Sequence, residues 1–70
     1  QLYKKKQINF LNNALASASE TRHWLITALD NKYISQEDYN KLEQKTIEII
    51  RMLIGYIRKL QEQTDDKEIA

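Results

Sequence analysis

The chain has no cysteine, no proline, one glycine and one histidine in 70 residues. Without cysteine there is neither a disulfide framework nor a thiolate zinc site. One glycine cannot build a phosphate-cradling loop or supply the turns of an all-β fold. A single histidine leaves no His-based metal cluster and no nucleophile–histidine pair. Charge of one sign is missing too: 11 Lys and Arg against 10 Asp and Glu give a net charge of +1. No overall field therefore points to nucleic acid or to a membrane surface. Long apolar runs are also lacking. The richest stretch, Ile47 to Ile57, is interrupted by Glu48 and Arg51, whereas a spanning helix needs about 20 mostly apolar residues. No apolar stretch ahead of a small-residue cleavage site marks a signal peptide, so the expected compartment is the cytoplasm. These absences leave one small helical domain, or part of one.

What is present is helical periodicity. Ile8, Leu11, Leu15, Ala18, Arg22, Leu25 and Leu29 follow one another at alternating spacings of three and four. That is a heptad seam with one charged member, Arg22. Phe10, Ala14, Ser17, Thr21, Trp24 and Ala28 flank it, small residues between two aromatics. In the second half, Tyr39, Leu42, Thr46, Ile49, Leu53, Tyr56 and Leu60 repeat the rhythm, and Glu43, Ile47, Ile50, Ile54 and Ile57 form a second stripe beside them. No segment alternates with period 2 for long enough to make a strand. The isoleucines lower helix propensity slightly, which the periodicity outweighs.

Between the halves lies Asp30-Asn31-Lys32-Tyr33-Ile34-Ser35. Asn31 is the residue expected to take the left-handed conformation that ends a helix when glycine is not at hand. Ser35 is a good N-cap, with Glu37 and Asp38 in the first turn of the second helix. Ser35 and Asp38 have capping-box spacing, and Ile34 and Tyr39 sit at the positions of a hydrophobic staple. The expected helices, 2–29 and 36–63, are each about 42 Å long at roughly 1.5 Å per residue. Equal helices with a short connection make an antiparallel hairpin. Residues 64–70 lose the periodicity and are expected to fray.

A hairpin buries one stripe per helix, yet the second helix carries two. Ile47, Ile50, Ile54 and Ile57 are the outer set, which would face water in an isolated hairpin, and leaving them there forgoes roughly 1.5–3 kcal/mol each. Cores of this size seldom supply more than about 3–5 kcal/mol. The sequence therefore predicts docking onto further helices, from additional sequence or from other copies. Trp24, Ile47, Ile50, Ile54, Gly55 and Ile57 are the expected bundle or oligomer interface. Gly55 costs about 1 kcal/mol inside a helix, and close approach of a neighbouring backbone is the expected compensation.

Several residues also carry a family likeness. Phe10-Leu11, Ala14, Ala16-Ser17, Glu20, Leu25, Ala28 and Tyr33-Ile34-Ser35, then Glu37 and Tyr39, resemble the third helix and adjoining turn of one bacterial family. Ile47-Glu48, Arg51-Met52-Leu53, Gly55, Ile57 and Leu60 resemble its fourth helix. The family is the four-helix-bundle proteins encoded in intervening sequences of 23S ribosomal RNA genes. Its relatives include the accessory variability determinant proteins of diversity-generating retroelements. The likeness covers about residues 7–60 and the second half of the family's domain. It implies an all-α, up-down four-helix bundle of which residues 1–63 are helices three and four, assembled as a ring-like homopentamer. From the accessory relatives it also implies an RNA or reverse-transcriptase partner. It brings no catalytic residue, cofactor or metal ligand. Arg22 stands where the family commonly has an acid, and Ile50 and Ile54 where it often has glycine and asparagine. These departures make the last helix more apolar.

The candidate nucleic-acid contact is the basic run Lys4, Lys5 and Lys6, which would neutralise phosphates; its plain alternative is a solvated helix start. Residues 1–35 carry a net charge of +3 and residues 36–70 a net charge of −2. Arg51, Arg58 and Lys59 are a second basic spot, with Glu48 and Glu62 near enough along the helix to offset it. His23 reads as a surface neighbour of Trp24, and Arg22 as a partner for Glu43 or as a snorkelling side chain. Glu20 and His23 form one isolated Glu-x-x-His, not the paired motif of a di-iron bundle. Tyr3, Tyr33, Tyr39 and Tyr56 read as core edges with wet hydroxyls. The function expected is a non-enzymatic assembly scaffold with no small-molecule substrate and no membrane. The alternative is a helical metal-carboxylate enzyme whose ligands lie mostly in further, N-terminal sequence.

Overall fold

The chain reverses once, and polar residues reverse it. In a computed structural model, which describes the backbone of residues 2–69 and the side chains of residues 2–63, two helices, α1 (Leu2–Asp30) and α2 (Gln36–Ile69), flank that turn. The Tyr33 N–H donates to the Ala28 carbonyl at 2.9 Å and the Lys32 N–H to the Leu29 carbonyl at 3.0 Å. This pair of bonds is a Schellman ending, which satisfies helix carbonyls that would otherwise be orphaned. The residue in the left-handed region is Lys32, at φ 61°, and not Asn31 as the sequence suggests. Asn31 lies one position earlier, just past the end of α1, where its N–H donates to the Thr27 carbonyl at 3.0 Å and its side-chain Nδ2 to the same carbonyl at 2.8 Å. Its amide group thus caps the helix end.

The start of α2 matches the sequence closely. Ser35 Oγ accepts from the Asp38 N–H at 3.1 Å, and the Ser35 carbonyl accepts the first helical bond, from the Tyr39 N–H, at 2.9 Å. Glu37 and Asp38 place negative charge in the first turn, where the helix dipole favours it. Helix α2 continues through Ile69, six residues past the periodic pattern. The side chains of 64–69, and all of Ala70, on which the expectation of a frayed tail rests, lie outside the described residues.

Helix α1 packs through the expected seam. Ile8, Leu11, Leu15, Ala18, Leu25 and Leu29 are all partly buried, and only Arg22 among the seam positions is exposed. On α2 the two stripes exchange roles. Leu42, Ile49 and Tyr56, expected in the seam, are exposed, whereas Ile57 is 8% exposed and Ile47, Ile50 and Ile54 are half-buried. The observed seam runs Tyr39, Glu43, Thr46, Ile50, Leu53, Ile57 and Leu60, with Ile47 and Ile54 beside it. It keeps the three–four rhythm but is rotated by part of a turn. The physical reason is composition: this orientation shields four isoleucines and moves Leu42, Ile49 and Tyr56 outward. Thr46, buried in the new seam, is accommodated because its hydroxyl donates to the Leu42 carbonyl at 2.8 Å.

An ion pair crosses the hairpin, from Arg22 Nε to Glu43 Oε2 at 3.7 Å. It sets the register: residues whose numbers add to about 65 lie level. Two helices alone bury little. Among the described residues only Ile57, Leu60 and Thr46 are buried, and no side chain is fully enclosed. The 8.3 kDa chain exposes 5732 Å², against about 4,600 Å² for a compact monomer of that mass.

Candidate docking surface

Heptad spacing sorts the exposed apolar side chains. Tyr3, Phe10, Ser17 and Trp24 are seven apart on α1, as are Leu42, Ile49 and Tyr56 on α2. Residues seven apart drift only about 20° around a helix, so each set is a nearly straight stripe. Both lie on the same side of the hairpin, because Tyr3, Phe10 and Tyr56 line one cleft of about 300 Å³ with Lys6, Gln7 and Leu11. The register then sets Trp24 level with Leu42, Ser17 with Ile49 and Phe10 with Tyr56.

The outcome is one apolar face running along a body that measures 54 × 16 × 12 Å. Phe10 is 73% exposed, Trp24 64% and Ile49 48%, with Met52 exposed at the margin of the face. Small Ser17 and Thr21 leave a waist between the aromatic rungs; the Thr21 hydroxyl donates to the Ser17 carbonyl at 3.0 Å. Single exposed apolar side chains are ordinary, whereas a continuous set along the hairpin is not.

The residues expected at an interface are thus not all on one surface. Trp24 stands on the exposed face. Ile47, Ile50, Ile54 and Ile57 are turned toward α1. Gly55 is exposed, and a Cβ built on it would meet nothing within 4 Å, so no close neighbour compensates it within the hairpin. Tyr3, Phe10, Leu42, Ile49, Met52 and Tyr56 belong to the face, although the sequence does not single them out as interface residues. The usable signal is that Leu42-Ile49-Tyr56 and Phe10-Ser17-Trp24 share one seven-residue interval.

The tyrosines divide. Tyr3, Tyr33 and Tyr56 are exposed; Tyr39 is half-buried, and its hydroxyl donates to Glu43 Oε2 at 2.6 Å. Glu43 therefore holds Tyr39 on one side and Arg22 on the other. The hydrogen bond to the carboxylate, then burial and the nearby negative charge of Glu43, raises the Tyr39 pKa above its ordinary value of 10.0, with Arg22 opposing. Arg22 thus finds the partner that the sequence offers it.

His23 is exposed and borders a shallow depression with Ser19, Arg22, Ile26 and Ile50. Among the described residues no group of three or more His, Asp or Glu side chains comes together as a metal site, and no helix is long and apolar enough to cross a membrane. Lys4, Lys5 and Lys6 begin α1, and the antiparallel register brings them level with Arg58 and Lys59 of α2.

A chain of two helices that buries little among the described residues and presents a full-length apolar face is, by class, an all-α hairpin. Its family comes from the sequence: the family model described as 23S rRNA-intervening sequence protein matches residues 1–55, and the chain belongs to that family. The match takes in α1, the turn and α2 as far as Gly55. No curated protein and no solved structure matches the chain.

Proposed function

We propose that this protein is a non-enzymatic assembly module. Its hairpin is one half of an up-down four-helix bundle, and the bundle associates into a homo-oligomer, a pentamer by the family likeness. The observation that carries this reading is the exposed face of Phe10, Trp24, Leu42, Ile49 and Tyr56. Covering such side chains stabilises by roughly 1.5–3 kcal/mol each. That is comparable to everything a core of this size supplies on its own, so docking and folding are coupled. The assembled scaffold serves an RNA or reverse-transcriptase partner, as the likeness to retroelement accessory proteins suggests.

Light scattering on the purified protein at micromolar concentration tests it. The expected result is an oligomer whose Trp24 fluorescence is shifted to the blue of free tryptophan. Replacing Phe10 and Ile49 with serine is expected to release protomers and to lower helicity with them. A well-folded monomer at micromolar concentration would overturn the proposal.

A further inference from the structure

The fold rearranges the charge of the chain. Read along the sequence, the two halves carry small opposite charges. Paired as a hairpin, they give an open end (residues 2–16 and 49–63) with six cations, Lys4, Lys5, Lys6, Arg51, Arg58 and Lys59, and one acid, Glu62. The loop half (residues 17–48) has four cations and six acids. The open end is thus +5 and the loop half −2; the last seven residues, with Asp65, Asp66, Lys67 and Glu68, take back two charges. Five of the six cations are exposed and Lys4 is half-buried. The cross-helix Arg22–Glu43 pair and the Glu37–Lys41 pair, at 3.4 Å, both lie in the loop half.

Three of the cations, Lys5, Arg51 and Arg58, are also separate from the apolar face. Arg51 and Arg58 are seven apart and share one stripe of α2, which lies beyond the seam from the Leu42-Ile49-Tyr56 stripe. Lys5 falls on the corresponding side of α1, whereas Lys6 borders the aromatic cleft and Lys59 lies beside Tyr56. The apolar face can therefore be covered by helices while Lys5, Arg51 and Arg58 remain in water.

From this juxtaposition we infer that the open end of the hairpin binds the phosphate backbone of nucleic acid. Cations fixed on two rigid helices neutralise successive phosphates and release counterions, which gives affinity without base recognition. Two of the six are arginines, whose planar fork suits phosphate oxygens. The inference gives a site to the partner half of the proposed function. It needs the hairpin, but not any particular oligomer.

The test is fluorescence anisotropy of the full chain with a labelled single-stranded RNA and a DNA of the same sequence, across a salt series. Saturable binding to both is expected, with log K falling against log salt at a slope of about −3.5 to −4.2 for five or six phosphates. Arg51→Glu with Arg58→Glu is expected to weaken binding at least about tenfold at 50 mM salt and to flatten the slope by about 1.4. Lys41→Glu with Lys45→Glu, in the loop half, should change affinity by less than about threefold under the same charge-counting rule. Circular dichroism on each variant separates lost contact from lost fold. No binding at 100 µM protein and about 50 mM salt, or equal losses from the two double variants, would overturn the inference. So would displacement of the RNA by polyglutamate at equal charge, which would make the partner an acidic protein. Light scattering on the same samples keeps the two proposals apart. An oligomer that ignores RNA overturns only the phosphate site, and a monomer that binds RNA overturns only the assembly.

Discussion

At the closed end of the hairpin, polar atoms hold the structure. The Ala28–Tyr33 and Leu29–Lys32 backbone bonds, the Ser35 cap and the Arg22–Glu43–Tyr39 contacts each join a named donor to a named acceptor. At the open end, Ile57 and Leu60 are buried against α1, and residues 2–16 and 49–63 carry six cations and one acid. The closed end is specified by local chemistry, which does not depend on what else is bound. The open end is held by apolar area and gathers cations that repel one another, so its stability rests on the packing of Ile57 and Leu60. Substitutions at the two ends should therefore fail in different ways.

The largest effect is expected at Ile57. Truncating a buried isoleucine to alanine costs about 2–5 kcal/mol. With a core that supplies only about 3–5 kcal/mol in total, Ile57→Ala should abolish most of the helical signal at 25 °C in thermal and urea unfolding monitored by circular dichroism. Retention of the wild-type midpoint would show that the open end does not rest on this contact. At the closed end, Ser35→Ala removes the side-chain acceptor for the Asp38 N–H and should cost about 1 kcal/mol. The midpoint should fall, but the folded baseline should remain. If Ser35→Ala proved the more damaging of the two, the division of labour between the ends would be reversed.

Gly55 offers a change of opposite sign. It lies mid-helix in α2 with open space where a Cβ would go, so Gly55→Ala should stabilise the hairpin by about 0.5–1 kcal/mol through backbone entropy. The same substitution also examines the assembly. If it raises the unfolding midpoint of dilute protein but lowers the oligomer mass, a neighbour approaches Gly55 only in the assembled state.

How much of the molecule is legible in the sequence differs by end. Ser35, Asp38 and the α2 start can be read because capping is a short-range code in which residue type and spacing are the whole mechanism. The left-handed residue is misplaced by one, at Asn31 instead of Lys32, because residue preference at that position is weaker than the bonds that fix where the helix stops. On α2, two stripes of equal period compete for the seam. Periodicity identifies a stripe but does not say which one faces inward; the summed burial of Ile47, Ile50, Ile54 and Ile57 decides that. The exposed apolar face is hidden for the same reason, since the spacing of Leu42, Ile49 and Tyr56 reads equally well as core. The basic end cannot be seen along the chain at all, because Lys4–Lys6 and Arg58–Lys59 are some fifty residues apart until the hairpin closes.

The smallest effect concerns the polar bridge at the closed end. Arg22 is about half exposed, so its ion pair with Glu43 is worth less than about 1 kcal/mol, and Glu43→Gln should barely move the unfolding midpoint at neutral pH. Its signature lies instead in alkali. Because the Tyr39 pKa is raised in the folded chain, chiefly by its hydrogen bond to Glu43, the folded state holds that proton more tightly than the unfolded state does. The contribution is complete below the ordinary tyrosine value near 10 and is lost as pH climbs from there through the higher folded midpoint. Ultraviolet titration of the phenolate, with Tyr39→Phe as the subtraction, should show this one tyrosine above its ordinary value in the wild type. Glu43→Gln should return it toward 10. An unchanged midpoint in Glu43→Gln would mean that Tyr39 and Glu43 are not joined in solution, and the closed end would then rest on its backbone caps alone.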